Sequence, residues 1–265
     1  MHRARLVAFA AIATVTTVLL GAQSSGRIAP SGIPVRFPEG SVHAFLELHA
    51  AAGALLASGD LVQLPESGGM RSRMTFHFAD SSFFEETVRF TQRGVFALQS
   101  YRLVERGPAF AVDLDARFSA NGSYSVTSRS RDDGKVSKHS GTLEMPPDVS
   151  NGLPIVLLKN LTRHDTQTVH LVAFTPAPRM IKMRLAPMAE SRILNGAQRE
   201  MMVQFDLKPE VGGIAGVLAK LLGKIPPDSH VWIVTQDAPM FVRFEGPLFT
   251  GPVWRIDGAS PRWPR

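Results

Sequence analysis

AFAVDLDARFSANGSYSVTSRSR, residues 109–131, is the stretch that decides the fold. Val112, Leu114, Ala116 and Phe118 alternate with Asp113, Asp115 and Arg117. An apolar/polar period of two is the mark of a half-buried strand. The second run, from Ser123, keeps a similar rhythm, and Asn121-Gly122 separates the two. Asn-Gly between alternating runs predicts a two-residue hairpin of type I′, which needs positive φ at both central residues.

Working outward, the same grammar repeats. Downstream, Asp133-Gly134 turns the chain into a run over 136–145. Upstream, Gly107-Pro108 breaks a run over 95–104, and Arg93-Gly94 precedes that run. Before it, Phe84, Glu86, Val88 and Phe90 oppose Phe83, Glu85, Thr87 and Arg89. A further strand is expected over 73–78, and another over 61–64 after a turn at Gly59-Asp60. The first strand places Val42, Ala44, Leu46 and Leu48 opposite His43, Phe45, Glu47 and His49. Later strands are expected over 168–174, 179–185, 199–207, 231–236, 240–245 and 253–256.

Two segments depart from this rhythm. Leu153-Pro154 opens one or two helical turns, because proline is tolerated in a first turn. Ile214, Val217, Leu218, Leu221 and Leu222 fall at helical spacing before Gly223 and Pro226-Pro227, so a helix is expected over 214–222. The fold class is therefore mainly β: an antiparallel barrel or half-barrel of about a dozen strands with one or two short helices.

The ends carry other information. Basic Arg3 and Arg5, an apolar run over 6–20 and the small residues Ala22 and Ser24 make residues 1–24 a signal peptide, cleaved after Ser24, with cleavage after Ala22 as the alternative that Leu20 fits less well. An uncleaved membrane anchor is the alternative, although the run is short for a span. Residues 25–40, rich in proline and glycine, read as an irregular linker. A single antiparallel β domain follows over 41–258, then a flexible tail over 259–265. The expected location is the periplasm or the extracellular space after signal-peptide cleavage.

Composition excludes several functions. The chain has no cysteine, which removes thiol catalysis, thiolate metal sites and disulfide staples. Its net charge of +6 is scattered. The densest basic group, Arg129, Arg131, Lys135 and Lys138, is interrupted by Asp132 and Asp133, so no nucleic-acid partner is expected. Weak contact with an anionic membrane surface fits the charge better. His139, His164 and His170 match no metal-ligand spacing, no nucleophile elbow is present, and Gly212-Gly213-Ile214-Ala215-Gly216 lacks the lysine of a phosphate loop. No catalytic residue, metal or cofactor is assigned. Asp113 and Asp115 share one strand face, which leaves open a hydrolase pair or a solvated edge neutralised by Arg102, Arg117 and Arg129.

The late strands are apolar on both faces. Met201 and Met202 stand beside Val203 and Phe205, and residues 231–234 form a continuous apolar run. An antiparallel strand greasy on both sides needs a second cover, which is a packed core, another layer or an apolar ligand.

The run Leu143-Glu144-Met145-Pro146-Pro147-Asp148-Val149-Ser150-Asn151-Gly152-Leu153-Pro154, leading into a short helix, resembles periplasmic DUF3108-type proteins. More broadly, residues 42–257 resemble the half-barrel lipoprotein carriers LolA and LolB. That resemblance implies a curved sheet with a helical lid that holds acyl chains between them. It carries over no ligand residue, and the missing lipoprotein cysteine departs from LolB anchoring. The leading expectation is an exported envelope protein that binds or carries a lipid or other apolar ligand. Met201, Val203 and Phe205 would line the site, and Leu218 and Leu222 of the 214–222 helix would cover it. The alternatives are a structural or assembly factor of the envelope and a hydrolase using sheet-face carboxylates. The sequence favours a binding protein over an enzyme.

Overall fold

The computed structural model describes residues 32–174, 177–195, 198–210, 228–236, 238–248 and 251–259. The expected signal peptide, the helix over 214–222 with Leu218 and Leu222, the glycine-rich 212–216 segment and residues 260–265 lie outside these.

Eight strands come first: β1 (Val42–Ala50), β2 (Leu55–Glu66), β3 (Gly69–Phe78), β4 (Phe83–Arg93), β5 (Val95–Arg106), β6 (Val112–Ser119), β7 (Ser123–Ser130) and β8 (Val136–Thr142). A short helix follows, α1 (Pro154–Leu158), with Leu153 as its N-cap. Six more strands complete the described fold: β9 (Gln167–Phe174), β10 (Pro178–Asn195), β11 (Gln198–Glu210), β12 (Ser229–Val234), β13 (Met240–Gly246) and β14 (Trp254–Ala259). All pair antiparallel in one sheet of order β8-β7-β6-β5-β4-β3-β2-β1-β14-β13-β12-β11-β10-β9. Two meanders are thus joined where β1 meets β14, with Leu48 opposite Ile256.

The sheet stays open, with β8 and β9 at its two edges. Its curl brings distant strands together. Phe174 on β9 stacks on Tyr101 of β5 at 6.3 Å and lies 6.1 Å from Phe118 of β6. Among the described residues this is a half-barrel with minimal helix. The chain leaves one edge after Thr142 and re-enters at the other at Gln167, and α1 lies on this connection. Leu153, Val156, Leu157, Leu158 and Leu161 of the connection are buried in the same core as Phe76, Phe84, Phe90 and Phe205. A second aromatic knot joins Phe78, Phe110 and Trp254, with centroids 5.5–5.9 Å apart.

The two edges are protected differently. β8 carries Lys138 and His139 and is largely solvent-exposed, a polar edge that discourages pairing with another chain. The β9 edge is occupied by its own chain. Val149 bridges His170 in parallel, the Ser150 amide donates to the His170 carbonyl, and the His170 amide donates to the Asp148 carbonyl. Residues 32–40 are also held down. Asn160 Oδ1 accepts the amides of Arg36 and Phe37 at 2.8 and 2.7 Å, and Glu39 pairs with Lys159 and Gln63.

Three local expectations change. The β6–β7 loop is a three-residue connection in which Gly122 alone has positive φ, and the Gly122 amide donates to the Ser119 carbonyl. That is a type I turn closed by a glycine bulge, not type I′. Asn121 instead spends its side chain on the turn, accepting from Ser119 Oγ and from the Ser123 amide. Gly59-Asp60 is not a turn but the middle of β2. A Cβ at Gly59 would stand 1.9 Å from the Thr75 carbonyl oxygen, so glycine there serves close strand approach. The real turn is at residues 51–54. Finally, β10 runs well past residue 185, because the pairing shifts between Pro187 and Ala189 and the bulge absorbs the proline.

Candidate functional site

The most unusual chemistry lies on the concave face of β4 and β5. Period-two alternation puts Phe84, Glu86 and Val88 of β4 on that face, and pairing sets them opposite Glu105, Leu103 and Tyr101 of β5. Glu86 is therefore the diagonal neighbour of both Tyr101 and Glu105, a spacing long side chains can bridge. The Tyr101 hydroxyl donates to Glu86 Oε1 at 2.7 Å. Asn151 adds a hydrogen bond to Tyr101 from above.

Above this cluster runs the connection 149–161. Gly152 has φ +70°, and an added Cβ would meet Val88 Cβ at 3.1 Å and the Tyr101 ring at 3.3 Å. Only glycine allows both that backbone angle and that approach. Asn151 clamps the neighbouring strand: its Oδ1 accepts from the Val172 amide at 2.7 Å, and its Nδ2 donates to the Val172 carbonyl at 2.9 Å. We expect Asn151→Ala to cost about 2–4 kcal/mol, since two buried backbone groups lose their partner. Urea denaturation measures the cost, and faster exchange of the Val172 amide locates it.

Glu105 is 4% exposed, and among the described residues its Oε1 has no hydrogen-bond partner. Burial, reinforced by the negative Glu86 beside it, pushes its pKa up to about 8. At neutral pH it is mostly a neutral carboxylic acid, able to donate as well as accept. Glu86 retains some accessible surface, yet the protein around it is dense enough to raise its pKa, against the opposing hydrogen bond from Tyr101. Tyr101 is pushed well above its ordinary value by burial and by the two glutamates. Chemically, this is a protonated carboxyl with an unpaired oxygen, next to a tyrosine–glutamate pair, in apolar surroundings.

The residues singled out from sequence fall elsewhere. Val203 and Phe205 lie on one face of β11, opposite Ile233 and Val231 of β12, and all four are fully buried core residues. Met201 shares the face and is half-buried. Asp113 and Asp115 face outward, where Asp113 pairs with Arg131 at 3.1 Å and Asp115 with Arg102 at 2.7 Å. His170 binds Asp148 at 2.8 Å, which ties the 148–150 segment to β9. Among the described residues no three histidine or acidic side chains come together as a metal site.

Period-two alternation sets Glu85 and Glu86 on opposite faces, and nothing in the local pattern assigns Glu86 or Glu105 a role. The usable signal was parity: each glutamate occupies an apolar-phase position, Glu86 between Phe84 and Val88, Glu105 two residues after Leu103. Comparison of the chain with family models, curated proteins and solved structures gives no match.

Proposed function

We propose that the chain is an exported protein of the cell envelope, periplasmic or extracellular, that binds a lipid or another apolar ligand carrying one polar head. The ligand lies against the concave face of the half-barrel. Half-buried Met201 offers contact, and fully buried Val203 and Phe205 lie behind it in the core. The observation that carries this reading is the unpaired Glu105 oxygen in an apolar interior. An orphaned buried polar group costs about 1–3 kcal/mol, so one held in a folded interior calls for a partner that offsets the cost. A ligand head that bonds the Glu105 carboxyl removes that cost while its apolar body gains roughly 25 cal/mol per Å² buried. The resemblance to half-barrel lipoprotein carriers agrees with this.

Titration with a fluorescent fatty acid tests the proposal. Wild-type protein is expected to bind the probe, and Glu105→Leu to weaken binding by about tenfold while circular dichroism stays unchanged. A folded wild type that leaves the probe free in solution rejects the reading.

A second reading, a structural or assembly factor, draws on exposed apolar residues of β10. Met188 is 63% and Leu194 72% exposed. Exposed apolar groups of this kind suit a protein partner. Substituting both with serine then abolishes assembly and leaves probe binding alone.

A further inference from the structure

The opposite face of the sheet, across β3–β7, carries an open depression of about 570 Å³, a volume in the range of small-molecule sites. Its lining includes Arg71, Arg89, Arg102 and Arg117, a row of serine and threonine hydroxyls, the aromatic residues Tyr101, Phe118 and Tyr124, and, among the described residues, no carboxylate. Strand pairing sets Arg71 directly opposite Arg89, and Arg102 directly opposite Arg117. Like charges directly opposite on antiparallel strands destabilise a sheet. Two such pairs converging on one hollow are therefore opposed by folding itself.

Neighbouring acids relieve part of the repulsion. Glu66 bonds both Arg71 and Arg89, and Asp115 bonds Arg102, with Glu85 at 4.0 Å. Arg117 is treated differently. Its Nε donates to Ser125 Oγ at 2.7 Å, and among the described residues it makes no ion pair. Ser100 and Ser119, directly paired across β5 and β6, set hydroxyls beside these guanidiniums.

We propose that this depression binds a phosphate ester. Glu66 and Asp115 offset only part of the charge of the four guanidiniums, Arg117 is left without an ion pair among the described residues, and the planar guanidinium fork matches phosphate oxygens two at a time. The hydroxyl row suits the alcohol portion of the ester. Arg117 and Arg89 hold the phosphate, with Arg71 and Arg102 at its flanks. The arginines of this site are on the face opposite Glu105, and Tyr101, which bonds Glu86 on the inner face, also contributes to the lining of the depression. A phospholipid headgroup and a soluble phosphorylated molecule share this chemistry.

Two probes separate the sources. The full chain is titrated with inorganic pyrophosphate by calorimetry. It is also sedimented with phosphatidylcholine vesicles with and without phosphatidylglycerol. Binding to pyrophosphate points to a soluble phosphoester, and retention on phosphatidylglycerol vesicles alone points to a headgroup. Either outcome supports the site if Arg117→Gln and Arg89→Gln each weaken it by about tenfold or more, without a lower melting temperature. Arg131→Gln, an outward arginine beyond the depression, is expected to leave affinity unchanged. The proposal is overturned if wild type binds neither probe. It is also overturned if Arg131→Gln loses as much as Arg117→Gln, or if Arg117→Gln lowers the melting temperature at unaltered affinity.

Discussion

Raising the pH from about 5 to about 8 is expected to destabilise the folded protein by about 3 kcal/mol through Glu105 alone, a fall in Tm of roughly 10 °C. In the folded chain the Glu105 pKa is raised to about 8, while the unfolded chain keeps the ordinary value of 4.5. Below that ordinary value both states hold the proton and no penalty exists. As pH rises through it, the unfolded chain releases its proton and the folded chain does not. Stability therefore declines across the whole window and levels off once the native carboxyl ionises. Glu86, raised by burial, adds in the same direction. Asp60, held low by the Thr75 hydroxyl, and Asp115, held low by Arg102, act oppositely and only in acid. Both are near the surface, so their effect is small. Maximum stability is expected on the mildly acidic side of neutral. Glu105→Leu should flatten the slope and stabilise the protein most at alkaline pH, because an unpaired buried polar group is replaced by an apolar one. Thermal melts of both proteins across this range decide it. A wild-type Tm that holds steady or climbs with pH sinks the assignment.

Phe205→Ala is expected to cost about 3–5 kcal/mol, because a fully buried aromatic leaves a cavity its neighbours cannot fill. Val203, Val231 and Ile233 around it are themselves fully buried. Met202, on the opposite strand face and half-buried, behaves differently. Met202→Gln should cost about 1 kcal/mol or less. Urea denaturation of the pair reads the face assignment directly. Equal losses would mean that β11 does not present Phe205 inward as described.

Much of this architecture is visible in local sequence. The alternation through residues 112–118 becomes β6, with Leu114, Ala116 and Phe118 buried and Asp113, Asp115 and Arg117 turned outward. Leu153-Pro154 does open a helix. These follow from period and backbone preference, which each segment carries within itself. Turn geometry is not carried within one segment in the same way. Asn121-Gly122 marks a hairpin, but the loop length belongs to the strands it joins, and here the glycine alone takes the positive φ. Gly59 shows the same limit: a glycine reads as a turn until the strand that presses on it is known.

What the chain by itself determined is the series of neighbouring antiparallel strands, their inward and outward residues, and the short helix between the two meanders. Only the tertiary structure decided that β1 pairs with β14, that Asn151 locks the β9 edge, that Gly152 packs on Val88 and Tyr101, and that Glu105 is buried beside Glu86. It also decided that two pairs of arginines meet across one depression. The reason is physical. A strand's sequence states which side chains share a face, but burial and pKa depend on what other parts of the chain lay over that face.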